Sequence, residues 1–136
     1  MALIGFDAIT AGGAVGAAIG SGLSGIGPAP TTTKMQVDLD EAPKLIEGLE
    51  AAIEKLQDAD RESLVLAASP SPGQDPYSGD ATDAIRKSAG GAEGGYAWAN
   101  KKAREALQKT ILNIKQSMKD YSQTDSAASD SLKTKE

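Results

Sequence analysis

Carboxylates are the one class of reactive side chain that is plentiful and clustered in this sequence. Glu47, Glu50 and Glu54 recur at steps of three and four, which sets them on one helical face or on neighbouring faces. Paired acids can hydrolyse a glycoside, and a carboxylate cluster can hold a metal. Both uses need a cleft, which a single pair of helices cannot build, so these glutamates read as a solvated face. The chain has no His and no Cys. Ser/His/Asp and Cys/His nucleophiles are therefore excluded, as are imidazole and thiolate metal ligands. The run Gly90-Gly91-Ala92-Glu93-Gly94-Gly95 follows no strand and precedes no Lys-Ser/Thr, so it fails the context of a phosphate loop. The expectation is a protein that is not an enzyme, with no catalytic residue, metal or cofactor.

What remains is a motif for recognition. Tyr121 and Asp125 stand four residues apart just past a long amphipathic stretch, where they can be displayed together. Read blandly, Tyr121 ends an apolar stripe and Asp125 is a tail charge. The elements around them must decide what they are attached to.

At 136 residues the chain holds one domain at most. Its net charge of −5 argues against nucleic-acid binding, which needs a clustered basic face. With one Phe, one Trp and three Tyr, the core must be built of Leu, Ile and Ala, which suits closely packed helices.

Residues 1–35 read as a flexible Gly/Ala-rich leader followed by a Pro/Thr linker. No cation precedes Lys34, so no Sec-type signal peptide is expected. Gly12, Gly16 and Gly20 fall every fourth residue, the spacing of a glycine zipper. The competing reading is low-complexity leader, because each Gly in a helix interior costs about 1 kcal/mol.

Residues 36–125 carry the helical periodicity. A first helix is expected from Asp40, its N-cap, to about Ala68. Ala42, Leu45, Ile46, Leu49, Ile53, Leu56 and Leu64 form its apolar face. Ser69-Pro70-Ser71-Pro72-Gly73 ends it. A second helix is expected after Ser78, its N-cap. The stripe runs Ala81, Ile85, Ala89, Ala92, Tyr96, Ala99, Ala103, Leu107, Ile111, Ile114, Met118 and Tyr121. The glycine cluster leaves open whether this is one long helix or two with a break. Residues 126–136 lack periodicity and read as a disordered tail.

Charge supports antiparallel pairing. Nine acids and three bases lie between Asp38 and Ala68, against five acids and eight bases between Asp80 and Tyr121. The fold class expected is thus all-α, an antiparallel hairpin of two long helices. Such a hairpin has little core of its own. Leu45, Leu49, Ile53, Leu107, Ile111 and Ile114 are expected to meet a second hairpin and complete a four-helix bundle. Trp98, beside the main stripe, closes the core edge or anchors the partner.

With these elements in place, residues 36–125 resemble the actinobacterial PE-like and ESX-associated proteins, relatives in shape of the WXG-type secreted hairpins. The resemblance rests on Val37-Asp38-Leu39-Asp40 before the first helix and the turn Gly73-Gln74-Asp75-Pro76-Tyr77-Ser78. The Gly-rich stretch ending in Tyr96 and the Tyr121-to-Asp125 spacing complete it. The chain departs from the pattern in having no Trp-x-Gly in the turn and no Pro-Glu pair near Met1. The resemblance implies a hairpin that pairs as homodimer or heterodimer. It also implies that Tyr121 and Asp125 are part of an export signal read by type VII secretion machinery. The protein would be made in a bacterial cytoplasm and be secreted or held at the cell surface. The rival reading is a membrane-associated or self-assembling structural protein, in which the glycine zipper inserts or oligomerises.

Overall fold

A computed structural model describes residues 2–10 and 31–133. Five elements follow in chain order: strands β1 (Leu3–Thr10) and β2 (Thr31–Asp38), then helices α1 (Ala42–Ala67), α2 (Pro76–Ala89) and α3 (Tyr96–Lys133). The fold is mostly helical with a small two-stranded sheet, so the all-α expectation holds for residues 42–133 and fails before them.

The strands pair antiparallel from Leu3↔Asp38 to Thr10↔Thr31. Their presence corrects the reading of residues 3–10 and 31–35 as flexible leader and linker, while residues 11–30, the rest of that segment, lie outside the described residues. The glycines diverted attention from Leu3-Ile4-Gly5-Phe6-Asp7-Ala8, an alternating segment with the two-residue period of a half-buried strand. Ile4 and Phe6 are buried, Ala8 is half-buried, and Leu3, Gly5 and Asp7 face out. The threonines read as linker are β-branched and suit a strand.

α1 and α3 run antiparallel. Glu50 meets Lys115 near one end of their contact, and Asp60 meets Arg104 near the other. The core lies where β1 covers these helices. It comprises Ile4 and Phe6 of β1, Ala42, Ile46 and Ile53 of α1, and Ile111 and Ile114 of α3, with Leu45, Leu49, Leu107 and Met118 packed at its margin. Full burial of one such side chain contributes about 1.5–3 kcal/mol.

The helix ends differ in detail from expectation. α1 is preceded by Glu41, whose side chain makes no capping bond, while the Asp40 N–H donates to Asp38 Oδ1 at 3.2 Å. α2 begins at Pro76 and is capped by Asp75, not Ser78. The Asp75 carboxylate accepts the Ser78 N–H at 2.9 Å and the Ser78 hydroxyl at 2.6 Å. The Ser78 hydroxyl and then its N–H hold the Asp75 carboxyl below its usual value.

The glycine cluster is a break. α2 stops at Ala89 and α3 starts at Tyr96. Gly94 takes φ +87°, a conformation L side chains rarely adopt. A Cβ on Gly95 would strike the Gly90 carbonyl, so the two helix ends approach backbone to backbone.

Candidate functional site

α3 outruns its neighbours. Its buried residues end at Ile114, Met118 is half-buried, and every residue from Lys119 to Lys133 is exposed. Several side-chain hydrogen bonds along it run within the helix: Gln116 to Asp120 Oδ1, Thr124 to the Asp120 carbonyl, Ser126 to the Ser122 carbonyl. The tail expected to be disordered from residue 126 is therefore helical to Lys133. Residues 134–136 lie outside the described residues.

Tyr121 and Asp125 stand on this projection one turn apart. Tyr121 is 38% exposed and Asp125 is open to solvent. Both continue the spacing of the core stripe. Leu107, Ile111, Ile114, Met118, Tyr121 and Asp125 succeed one another in alternating steps of four and three, which keeps them on one side of the helix. Ala128 and Leu132 extend the same progression. The serines and aspartates between them had hidden this periodicity, and the step of seven from Asp125 to Leu132 was the signal that could have found it.

The residues expected at a partner interface divide. Ile53, Ile111 and Ile114 are buried in the chain's own core, with Ile114 fully so. Leu45, Leu49 and Leu107 are half-buried against that core. β1 covers the side of α1 and α3 that had been assigned to a second hairpin, because residues 3–10 had not been counted as structure. Trp98 is half-buried on α3. The proposed zipper residues Gly12, Gly16 and Gly20 lie outside the described residues.

Sequence reasoning also missed the groups that hold β1 in place. Thr110 Oγ1 accepts the Ile9 N–H at 3.1 Å and donates to the Ala106 carbonyl at 3.0 Å. Asn113 Nδ2 donates to the Asp7 carbonyl at 2.7 Å. Both polar residues flank Ile111 and Ile114, and their nearness to the stripe was the available sign.

At the other end of the α1–α3 pair lies a polar layer. Asn100, 4% exposed, donates Nδ2 to the Leu56 carbonyl at 2.7 Å. Arg104 meets Asp60 at 3.0 Å with both side chains three-quarters buried. In α2 the buried residues are Thr82 and Ala89, while Ile85, and Tyr96 at the start of α3, are about half exposed. Of the stripe expected through α2, Ala89 is buried, while Ala81 and Ile85 are exposed and Thr82, next to Ala81, packs instead. Leu64 is likewise exposed, and Ser63 is buried in its place.

Two open grooves mark the surface. One of about 550 Å³ runs between the sheet and α3 beside Phe6, Met35 and Asn113. The other, about 540 Å³, is apolar and lies between α1 and α2 beside Leu66, Ile85 and Tyr96. Among the described residues no three acidic side chains converge as a metal site. The described helices include none long and apolar enough to cross a membrane. Comparison with known proteins finds no matching family, no similar curated protein and no similar solved structure.

Proposed function

We propose that this is a non-enzymatic secreted protein of a type VII (ESX-type) secretion system, in which Tyr121 and Asp125 form the export signal. The observation that carries the reading is the projection of α3. Tyr121 and Asp125 share one exposed face of a helix that extends past the packed domain, where a receptor groove can take hold of it without opening the core. A helix so presented is engaged through residues at steps of three and four. Tyr121 supplies a rigid amphipathic anchor at little conformational cost, and Asp125 supplies the charge that fixes orientation. The resemblance of residues 36–125 to PE-like and ESX-associated proteins supplies the identity of the receptor. A helical-hairpin partner belongs to the same reading, docked on outer faces of α1 and α3 that β1 leaves open.

The test is the fraction of protein in the culture medium of a host with an ESX-type system, with cell lysis controlled. Wild type is exported, while Tyr121→Ala and Asp125→Ala stay in the cell as folded protein. Equal export of wild type and both variants removes the signal from this helix. Retention of all three removes the secretion reading altogether.

A further inference from the structure

We infer that β2 is a dimerisation edge: two copies of the chain pair their β2 strands antiparallel across a two-fold axis centred on Gln36, which makes one four-stranded sheet. This surface is separate from Tyr121 and Asp125, and the inference stands whether or not the protein is secreted.

The direction of the backbone groups comes first. The Leu39 N–H donates to the Ala2 carbonyl at 2.8 Å, so even-numbered residues of β1 and odd-numbered residues of β2 face each other across the ladder. The Asp7 carbonyl and the Ile9 N–H agree, since both turn away from β2 toward α3. It follows that Thr32, Lys34, Gln36 and Asp38 direct their N–H and C=O groups at the other edge. Among the described residues no helix packs there to any extent: β1 makes the sheet's contacts with α3, and β2 pairs with β1. Lys34, Met35 and Gln36 are all exposed. The eight-residue edge has no Pro, and its charges, Lys34 and Asp38, are of opposite sign, so they can pair across a joint rather than block it.

Charge and side-chain facing then select the occupant and the register. A two-fold pairing centred on Lys34 would set the two cations against each other. Centred on Gln36, it sets each Lys34 opposite Asp38 of the other copy, twice by symmetry, and opposite charges at directly facing positions attract. On the same face Lys34 lies across from Asp7 within its own sheet, so the cation is flanked by acids on both sides. The core-facing side of the joint brings Met35 against Val37 of the other copy. That covers Met35, which at 48% is one of the exposed large apolar side chains. The main-chain bonds close as well. Gln36 exchanges two with Gln36, and each Asp38 N–H reaches a Lys34 carbonyl. The Asp38 carbonyl, which already accepts the Glu41 N–H at 3.0 Å, keeps a second lone pair for the Lys34 N–H.

The assembly also stops at two. Strand addition becomes a fibre when every sheet keeps a second open edge. Here the outer edge of β1 is occupied by the Thr110 and Asn113 side chains, so the four-stranded sheet is closed at both ends by α3.

The experiment is the mass of the full chain by sedimentation equilibrium across a concentration series. Wild type is expected to reach twice the 13.9 kDa of the monomer and stop there. Gln36→Pro removes a donor from the open edge and from no β1–β2 bond, a position where Pro is tolerated, and it is expected to be monomeric with the wild-type circular dichroism. Lys34→Asp turns two attractions into two repulsions and is expected to weaken self-association about tenfold. The exchange Lys34→Asp with Asp38→Lys restores it, which keeps the test decisive if Gln36→Pro does not fold. A wild type that stays monomeric overturns the inference. So does a dimer untouched by Gln36→Pro and Lys34→Asp, which would lie on the helices, and so does mass growing without limit.

Discussion

The Thr110 hydroxyl accepts the backbone N–H of Ile9 at 3.1 Å, joining residues 101 apart in sequence. With Asn113 on the Asp7 carbonyl, it satisfies an edge of β1 that has no strand beside it among the described residues. A buried N–H without a partner is costly, so β1 lies on α3 because the helix offers polar groups at that height. The sheet is then covered by α3 on that edge and by the core beneath.

Thr110→Val keeps the shape of the side chain and removes the hydroxyl. It leaves the Ile9 N–H without its acceptor, a loss of about 1–3 kcal/mol. Thr110→Ser retains the bond and is expected to lose less. Amide exchange at Ile9 separates the two, being faster than wild type in the valine variant and close to it in the serine variant. Slow exchange at Ile9 in Thr110→Val would show that the bond does not hold the strand.

Burial along the stripes predicts unequal costs for similar changes. Ile114 is fully buried between β1 and α1, so Ile114→Ala removes contacts and leaves a cavity, at about 2–5 kcal/mol. Leu64 belongs to the apolar series read from the sequence but is 56% exposed, and Leu64→Ala is expected to stay within about 0.5 kcal/mol. Urea unfolding of the two variants checks this. Equal losses would mean that the C-terminal part of α1 packs more closely than its exposure indicates.

The contrast between Ile114 and Leu64 also shows what was legible in the sequence. The periodicity gave α1, the later helical stretch and the break at Pro70–Gly73, because amphipathic faces and helix breakers act locally, while it left open whether Gly90–Gly95 divides the second helix. The turn after α1 and the opposite net charges of the two stretches suggested an antiparallel pair, and Asp60–Arg104 and Glu50–Lys115 join α1 to α3 in that sense. The periodicity did not give the sheet. Strand pairing between residues 3–10 and 31–38 is a long-range relation, and eight residues alternate too briefly to stand out beside a glycine-rich run. The cost of that omission was specific: with β1 unseen, Ile53, Ile111 and Ile114 were left for a partner when the chain covers them itself. Among the site residues, the spacing of Tyr121 and Asp125 was plain in the sequence. Tyr121 was legible as the last residue of the helical stripe, but the helix beyond Asp125 was not, because Ser, Asp and Ala dilute the apolar spacing there.

The cap of α2 predicts a pH dependence. Hydrogen bonds from the Ser78 hydroxyl and N–H stabilise the charged form of Asp75 and depress its pKa in the folded chain. A depressed carboxyl contributes stability above its unfolded pKa and loses it as pH falls through the folded value. Asp75→Asn keeps a capping acceptor that does not titrate. The difference in Tm between wild type and Asp75→Asn is expected to be greatest near neutral pH and to shrink on acidification below the usual carboxylate range. A difference that stays constant, or grows toward acid, would show that the Asp75 charge does not stabilise the cap.

The projection of α3 predicts that recognition and stability separate. From Lys119 onward every described residue is exposed, and the packed core ends with Met118 at its margin. A chain ending at Asp120 keeps Ile111, Ile114 and Met118 and loses Tyr121, Asp125, Ala128 and Leu132. Its unfolding free energy is expected to stay within about 0.5 kcal/mol of wild type, as for surface changes away from core, cap or charge network, while total helical ellipticity falls by the turns removed. Export in the culture-medium assay is expected to be lost. Tyr121→Ala in the full-length chain should reproduce the loss of export with the helix retained, which separates the signal from the mere presence of a tail. A truncated chain that unfolds would place residues 121–133 in the fold, and one that is exported normally would place the signal elsewhere. The outcome turns on a single physical relation: a helical segment whose described residues are all exposed contributes little to the stability of the domain it leaves, and its face is open to a receptor.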